Sequence, residues 1–369
     1  MIVHPPAWDA MASTGFGIRP AVRVTAYRPG STATLDVPVT SGTVTKDAGT
    51  YPRTRVTLDC ADTSLIPITL SDLLQPNGNW LAVDYGYADP GTEVTAWLRI
   101  HDGPITRVLS SRPGSLLTIE SADPTILVSG DDQWAPTTYA TGTNYAAKVA
   151  EVIVTARYAT TVVNTLTAAQ KLLTVPVDWS WTGDPWAAVE YLMDLIGGEA
   201  YLDSTRALIL RPHPITGTVA FAFRTGETGT ITGYDSEQVR PFNSVQLLYT
   251  PTAGGTANLG LWEDLNPSSP TYVNGPMGRY VYTERRIGTV LGGVANLYTA
   301  PMYARRVRGR GRTVTLRAVP VPWIEPGDLI SVTTVGGPVE NMFVQTVSIP
   351  LDLSVMTITT RDPTYQGPM

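Results

Sequence analysis

The sequence is short of charged residues. Only 16% of its 369 residues are Asp, Glu, Lys or Arg, against about 25% in a typical soluble domain. Thr, Ser, Gly and Tyr must therefore cover much of the surface, which suits a secreted-style β protein and the buried centre of a protein interface equally well. The net charge of −6 argues against sequence-independent nucleic-acid binding, because such binding needs a basic surface.

Cysteine is nearly absent, since Cys60 is the only one. A single cysteine excludes an intrachain disulfide and a cysteine-based zinc cluster, and we expect Cys60 to be buried in a strand. The N-terminus has neither a basic start nor an apolar run of signal-peptide length. No stretch approaches the ~18 apolar residues of a membrane span. We therefore expect no membrane span, and synthesis in a reducing host cytoplasm where the chain stays until it is assembled.

Residue patterns for catalysis are also scarce. The three histidines lack a second histidine or a cysteine at metal-ligand spacing, and no Gly-x-Ser-x-Gly elbow offers a nucleophile. These histidines are His4, His101 and His213. No pair of acidic residues stands out as the two carboxylates of a glycosidase. The sequence therefore predicts no enzyme, with no catalytic residue, metal or cofactor.

Short strands dominate what is present. The 30 prolines and 33 glycines divide the chain into runs rich in Val, Ile, Thr and Tyr, which is typical of many strands joined by turns. Several runs alternate polar and apolar residues, as strands with one buried face do. The clearest predicted strands are Ala21–Tyr27, Arg53–Cys60, Thr92–Ile100, Ser115–Ser121, Thr313–Val319, Asp328–Thr334 and Val355–Thr360.

Helical periodicity appears in few places. Asn144–Tyr158 places its apolar residues on one face. Asp184–Ile196 begins with a capping aspartate and a proline and is followed by Gly197, which suits a left-handed stop. Its apolar stripe, which begins at Trp186, predicts core packing rather than a ligand role. A third short helix is expected near residues 301–307.

These patterns predict a mainly β fold with an α+β middle domain. We expect an N-terminal arm, a first β-barrel domain, an α+β middle domain and a second β-barrel domain. Their predicted bounds are 1–19, 20–126, 127–230 and 231–369. Residues 251–278 are rich in Gly, Pro and Ser without periodicity, so we expect a long loop or insertion there.

Two segments of the chain resemble each other. Residues 91–124 and 327–363 both run from a turn glycine through a strand, a Gly-Pro turn and two further strands to an Asp-Pro stop. The aligned pairs are Gly91 with Gly327, Ile105 with Val344 and Asp123 with Asp362. We interpret this as a duplicated β-barrel, with coincidence as the alternative because Gly, Pro and Thr are common here. A cyclic trimer of such chains would present six similar barrels and could dock onto a hexamer.

The order of these elements resembles that of hub proteins from phage tails and related contractile injection machines. Trp323–Val332 is similar to the Pro-Gly-Asp turn that opens a strand in their C-terminal barrel. Phe242–Leu247 is similar to the strand that begins this barrel, and Gly198–Arg211 to the hairpin of their middle domain. Over residues 20–363 the chain resembles minor tail proteins of phages with non-contractile tails. It lacks the lysozyme-like or peptidase insertion that some hubs carry.

The resemblance implies a non-enzymatic hub with two tail-tube-like β-barrels. Such a hub is a homotrimer in the virion tail tip, assembled in the host cytoplasm, and links the hexameric tail tube or distal tail protein ring to tip and fibre proteins. The tape measure protein is a further expected partner, and DNA would pass through an axial channel only in transit. The alternative is a carbohydrate-binding, receptor-binding β module, because the nine tryptophans suit sugar platforms as well as interfaces.

An arginine run near the end of the chain is the main charged feature. It could bind single-stranded RNA, form a solvated or salt-bridged segment, or contact an acidic partner subunit. In the expected loop, Trp262 is the tryptophan that we most expect to be exposed. The candidate partner-interface residues are therefore Trp262, Arg305, Arg306, Arg308, Arg310 and Arg312.

Overall fold

The computed structural model describes most of the chain. The described residues are 4–5, 8–9, 12, 19–88, 96–110, 116–130, 133–155, 159–175, 179–214, 217–226, 229–250, 258–287, 304 and 311–361. Over these residues the fold is mainly β with an α+β middle domain, as the sequence predicts. All the predicted strands overlap strands of the structure.

The first third of the chain forms what we call the N-terminal unit. Its strands are β1 (Arg19–Tyr27), β2 (Thr34–Asp36), β3 (Val39–Asp47), β4 (Thr54–Cys60), β5 (Trp80–Ala88), β6 (Trp97–Ser110) and β7 (Leu117–Ala122). A 3₁₀ turn at Thr63–Leu65 lies in the long connection between β4 and β5. Cys60 is buried at the end of β4, as expected.

The middle domain packs short strands against helices. Its helices are α1 (Thr125–Ser129), α2 (Tyr145–Thr155), α3 (Ala168–Lys171) and α4 (Pro185–Leu195), and its strands are β8 (Gln133–Tyr139), β9 (Thr161–Asn164), β10 (Trp179–Gly183), β11 (Gly198–Leu202) and β12 (Ala207–Pro212). Both helices predicted for this region are confirmed. Asp184 caps α4 by accepting a hydrogen bond from the Trp186 amide, and Trp186 is only 2% exposed.

The last third forms the C-terminal unit with a small inserted sheet. The unit contains β13 (Val219–Arg224), β14 (Ile231–Gln238), β18 (Arg312–Ala318), β19 (Leu329–Thr333), β20 (Val339–Pro350) and β21 (Met356–Arg361). Between β14 and β18 the strands β15 (Ser244–Thr250), β16 (Asn258–Glu263) and β17 (Val281–Ile287) form a separate sheet. Of the helix expected near residues 301–307, all but residue 304 lies outside the described residues.

The loop expected at residues 251–278 is partly a strand. β16 pairs with β15, with Trp262 opposite Val245. Its six residues are too few to show a period between Gly-rich and Pro-rich flanks, which is why the pattern indicated a loop. The following loop is held by Asp264, whose carboxylate accepts hydrogen bonds from the Ser269 and Thr271 hydroxyls at 2.5 Å each.

The two units have the same strand order. The N-terminal unit is ordered β3-β4-β7-β6-β5-β1 and the C-terminal unit β14-β18-β21-β20-β19-β13, and corresponding strands follow one another in the same order along the chain. One pairing differs in direction, because β1 runs antiparallel to β5 whereas β13 runs parallel to β19. The shared order supports duplication over a coincidence of composition.

The pairing registers match as well. Ile105 lies opposite Ser121 just before a bulge in the β6–β7 ladder, and Val344 lies opposite Thr360 just before the corresponding bulge in β20–β21. The predicted match of Ile105 with Val344 is therefore confirmed. The β3–β4 and β14–β18 ladders also shift register at corresponding positions. Bulges are structural features at defined positions, so shared bulges are specific evidence for the repeat.

The glycine alignment of the repeat needs a correction. The structural counterpart of Gly327 is Gly78 rather than Gly91. Both glycines adopt positive φ, 71° at Gly78 and 89° at Gly327. Each precedes a residue whose carbonyl accepts a 2.9 Å hydrogen bond, from the Ile105 amide in one unit and from the Val344 amide in the other. The sequence alignment failed because the connection before this turn is longer in the N-terminal unit; Gly91 and Asp362 lie outside the described residues.

Candidate functional site

The two units are joined edge to edge by β3 and β20. These strands pair antiparallel, with Val44 opposite Ile349 and Lys46 opposite Val347, so thirteen strands form one sheet. The four side chains are at most 1% exposed, and one hydrophobic core spans both units. Because main-chain hydrogen bonds and a common core both cross the joint, the two units are held as one body.

A buried ion pair crosses this joint. The Lys46 ammonium on β3 hydrogen-bonds the carboxylate of Glu325, which lies in the turn before β19. Their side chains are 1% and 9% exposed. Burial alone raises the pKa of Glu325, but the nearby Lys46 and Arg53 cations lower it overall, so the carboxylate is ionised. Removing either partner would leave an uncompensated charge in the core.

A second cluster, which we call the arginine junction, ties the middle domain to both units. Glu199 on β11 lies 2.6 Å from Arg211 on β12 and 3.7 Å from Arg53 of the N-terminal unit. Both guanidinium groups donate to the Pro326 carbonyl of the C-terminal unit. They also cover the Tyr201 ring, at 3.7 Å for Arg53 and 4.9 Å for Arg211. All three parts of the chain therefore meet at this cluster.

The electrostatics of the arginine junction favour its charged state. Burial opposes ionisation of Glu199, but Arg211, His213 and Arg53 together hold the pKa of its carboxyl well below the usual range. Burial lowers the pKa of Arg211, but Glu199, Tyr201 and Asp328 raise it overall. The cluster therefore keeps its charges at neutral pH.

The middle domain has another contact with the N-terminal unit. Arg206, in the β11–β12 turn, lies 3.5 Å from the Asp102 carboxylate and 5.2 Å from the centre of the Trp80 ring. Asp102 also accepts a 2.5 Å hydrogen bond from the Tyr27 hydroxyl and lies 3.5 Å from Arg99. Burial raises the pKa of Asp102 in spite of these partners. Two separate polar contacts thus fix the orientation of the middle domain.

Two of the open strand edges among the described residues correspond to the edges that form the joint. β14 ends the sheet, and its residues 235–238 are exposed. In β6, residues 107–110 pair with β7 on one side, while the β5 pairing stops at Pro104. β14 is the counterpart of β3, and this part of β6 is the counterpart of the β20 segment that pairs with β3. The open edges are therefore the counterparts of the two edges that form the joint.

Two of the sequence-predicted interface residues, Trp262 and Arg312, lie among the described residues. Arg312 donates to both carboxylate oxygens of Glu340 in the same chain, at 2.7 and 3.0 Å, and to the Tyr234 hydroxyl at 3.1 Å. Trp262 is half-buried and packs against the core of the middle domain, whereas its neighbour Leu261 is 54% exposed. The remaining candidates lie outside the described residues; they are Arg305, Arg306, Arg308 and Arg310.

One histidine does lie beside a hydroxyl. His101 Nε2 is 2.8 Å from Ser121 Oγ, but the two residues are 1% and 2% exposed. Burial, helped by the Lys46 and Arg99 cations, lowers the pKa of His101 to about 3. A neutral imidazole sealed from solvent cannot receive a substrate or exchange protons with water, so this pair is part of the core.

Metal and membrane features can be judged only for the described residues. Among them, no group of three or more His, Cys, Asp or Glu side chains is arranged to hold a metal ion. No helix in the same part of the chain is long and apolar enough to cross a membrane.

Sequence reasoning missed the residues that join the parts of the chain. Lys46 carried a usable signal, because it shares a strand face with Val44 and therefore places a charge on an apolar face. The hairpin with Glu199 and Arg211 was recognised, but its spacing could not reveal Arg53 as a third member. Glu325 also gave no signal, since only the fold brings its turn beside β3.

The fold is that of phage tail proteins. A tail protein from Neisseria meningitidis MC58 superposes with a TM-score of 0.62 at 12% identity, over 93% of this chain and 97% of that one. The 43 kDa tail protein of prophage MuSo2 from Shewanella oneidensis gives 0.61 at 12%, over 94% and 99%. Prophage tail protein gp18 from Listeria monocytogenes EGD-e gives 0.57 at 11%, over 92% and 94%. No family model matches the sequence, and no curated protein matches it significantly.

Proposed function

We propose that this chain is the structural hub of a phage tail tip and works as a homotrimer. Three chains would bring six similar units around one axis, linking the hexameric tail tube or distal tail ring to tip and fibre proteins. An axial channel would let DNA leave. The fold shared with phage tail proteins along nearly the whole chain supports this role, and the arrangement of open edges carries the argument for assembly.

The β3–β20 pairing within one chain suggests how two chains could pair with each other. β3 pairs with β20 within the chain, and their counterparts, β14 and the end of β6, have no such partner among the described residues. If β14 of one copy pairs with β6 of the next, every unit in the ring has the same neighbours. A closed ring of repeated contacts is the usual solution for an oligomer, and it would cover the open edges of β14 and β6.

The matched registers predict the contact residue by residue. Within the chain, Val347 of β20 lies opposite Lys46 of β3. The counterpart of Val347 is Val108 and that of Lys46 is Gln238, so Val108 should lie opposite Gln238 of the next copy. The pairing of Thr346 with Asp47 likewise places Arg107 opposite Val239, which puts Arg107 diagonally beside Glu237. Opposite charges at such positions stabilise paired strands.

A cysteine pair tests this register. Val108→Cys combined with Gln238→Cys should form disulfides between copies on mild oxidation, because opposite residues of paired strands lie about 5 Å apart. Cys60 is fully buried and gives little background. The products should stop at a cross-linked trimer, and native mass measurement of the uncross-linked protein in the assembled tail tip should also give three copies.

The matched control combines Val108→Cys with Val335→Cys. Val335 is 80% exposed in the β19–β20 turn, so that pair should not cross-link efficiently. Equal cross-linking by both pairs, or a dimer or tetramer in the assembled particle, would contradict the proposal.

Further partner contacts are proposed on the charged and aromatic surface. Arg305, Arg306, Arg308 and Arg310 remain sequence-based candidates for a neighbouring subunit, a tip protein or the tape measure protein. Arg312 already has a carboxylate partner in its own chain, so we rank it below the other four. Leu261, beside Trp262, is an exposed apolar side chain that could also contact a partner.

A further inference from the structure

The chain contains two Asn-Gly pairs, and both lie between strands. Asn77-Gly78 is in the connection between β4 and β5, and Asn274-Gly275 is in the loop between β16 and β17. An asparagine before a glycine is prone to deamidation, because glycine has no side chain to hinder the approach of its backbone nitrogen. That nitrogen attacks the side-chain amide carbon of the asparagine and forms a cyclic imide. Whether a pair reacts therefore depends on how freely these two atoms can meet.

The pair Asn274-Gly275 is held by Tyr272. The Gly275 amide donates a 2.9 Å hydrogen bond to the Tyr272 carbonyl, and the Asn274 side-chain amide donates to the Tyr272 hydroxyl at 3.2 Å. A Cβ atom placed on Gly275 would come within 3.1 Å of the same carbonyl, so the space around this glycine is crowded. Both reacting groups are engaged, and the imide can form only after these hydrogen bonds break.

The pair Asn77-Gly78 is open. Both residues are exposed, and a Cβ atom placed on Gly78 would meet nothing within 4 Å. Among the described residues, the Gly78 amide donates no backbone hydrogen bond. The nitrogen is therefore available for attack, and solvent can reach the product.

We propose that Asn77 is a site of spontaneous deamidation. The Gly78 nitrogen bonds to Asn77 Cγ, and the side-chain nitrogen leaves as ammonia with the proton of the Gly78 amide. Water then opens the imide at either of its carbonyls and leaves aspartate or isoaspartate at this position. The overall change consumes one water and releases one ammonia, so it needs no oxidant, metal or enzyme. The proposal does not depend on the assembly of the hub.

The modification would disturb the contacts of Asn79. Its side chain donates to two main-chain carbonyls at 2.9 Å each, and its own carbonyl accepts the 2.9 Å hydrogen bond from the Ile105 amide of β6. Isoaspartate at position 77 adds one carbon to the main chain two residues earlier and should loosen these bonds. The corresponding turn of the C-terminal unit has Pro326 before Gly327 and cannot react in this way.

The test follows the purified wild-type chain during prolonged incubation at mildly alkaline pH. Peptide mass spectrometry measures deamidation, and enzymatic methylation detects isoaspartate. The Asn77 peptide should react roughly 10-fold faster than the Asn274 peptide, as expected if the hydrogen bond of Gly275 must open first. In urea the two peptides should react at similar rates, because unfolding removes the Tyr272 contacts. Hydrogen exchange at the Ile105 amide should become faster in the incubated folded chain.

The matched control is Asn77→Gln, whose longer side chain would have to close a larger ring and so cyclises much more slowly. This variant should stay unmodified at position 77 and keep its Ile105 exchange rate during the same incubation. Equal rates at Asn77 and Asn274 in the folded chain would overturn the proposal. An unmodified Asn77 in the folded chain, while the same peptide reacts in urea, would overturn it as well.

Discussion

β3 and β14 occupy the same position in the two units but lie in opposite surroundings. Val44 and Lys46 on β3 are buried beneath the joint with β20, whereas their counterparts on β14, Ser236 and Gln238, are exposed. In the N-terminal unit this strand, β3, therefore packs against the other unit of the same chain, whereas in the C-terminal unit its counterpart, β14, faces solvent. The difference shows that burial in this protein depends on what covers a strand as much as on the unit that contains it.

The two units also differ in the connections between the strands that they share. The N-terminal unit has a long β4–β5 connection that exposes Ile68 and Leu70 at 82% and 73%. The C-terminal unit carries the β15–β17 sheet where the N-terminal unit has only a short turn. A 2.9 Å hydrogen bond closes both connections at the same point, from Asp47 to Arg53 and from Val239 to Gly311. The additions thus leave the common register intact.

The largest expected difference in stability between β3 and β14 variants concerns Lys46 on β3 and its counterpart Gln238 on β14. Lys46→Met leaves the Glu325 carboxylate buried without its cation, and it should lower the free energy of unfolding by about 3–5 kcal/mol. Gln238→Met changes an exposed residue and should stay within about 0.5 kcal/mol. Urea unfolding of both variants measures the contrast, and similar losses would show that the joint does not bury Lys46.

The cores of the two units should respond alike. Leu58 and Leu316 occupy corresponding positions on β4 and β18, opposite Ile119 and Ile358, and both are fully buried. Leu58→Ala and Leu316→Ala should each cost about 2–5 kcal/mol. Because one core spans both units, each variant should also show a single unfolding transition by tryptophan fluorescence and by circular dichroism. Two separate transitions would mean that the units unfold independently.

Local patterns were enough to predict much of this fold. Alternation predicted strands such as β1 and β21, because each has one buried face, and capping residues located α4. The repeat was visible since the bulged β6–β7 and β20–β21 hairpins keep the same spacing from Ile105 and Val344 to the Asp-Pro stops. Gly78 was missed because a connection of different length precedes it.

The candidate site was much harder to predict, because its members are far apart in the sequence. Lys46 and Glu325 are separated by 279 positions, and Arg53 meets Glu199 only when three parts of the chain dock. The arginine run at residues 305–312 was predicted as an interface from its composition alone. Arg312, the described member of that run, in fact pairs with Glu340 on the adjacent part of the same unit.

The buried His101 should make the stability of the protein depend on pH. His101 has a folded pKa of about 3 against roughly 6.5 in an unfolded chain, so the unfolded state takes up a proton first as the pH falls. Stability from this group is fully present above pH 6.5 and declines below it, by up to about 1.4 kcal/mol per pH unit. Unfolding by urea at pH 7 and pH 5 should show this loss in the wild type.

His101→Gln should remove that slope relative to the wild type measured at the same two pH values. The carboxyls with lowered pKa, Glu199 and Glu325, stay ionised in both states above pH 5 and contribute mainly below pH 4.5. An unchanged slope in His101→Gln would mean that His101 is not the group that titrates.

The smallest expected effect concerns the ion pair at the open edge of β6. Arg107 lies 3.6 Å from Glu120, with side chains 59% and 36% exposed, where the C-terminal unit has Thr346 opposite Thr359. Exposed pairs contribute about 0–1 kcal/mol, so the double variant Arg107→Thr with Glu120→Thr should leave urea unfolding of the free chain nearly unchanged.

Removing the charges should instead make the open edge of β6 more prone to unwanted pairing, since charged side chains protect open strand edges. Light scattering of the free chain should therefore show more aggregation than Lys148→Gln with Glu151→Gln, which removes an ion pair on helix α2 rather than on a strand edge. A loss of several kcal/mol in the free chain would mean that the charges hold the β6–β7 hairpin itself rather than protect its edge.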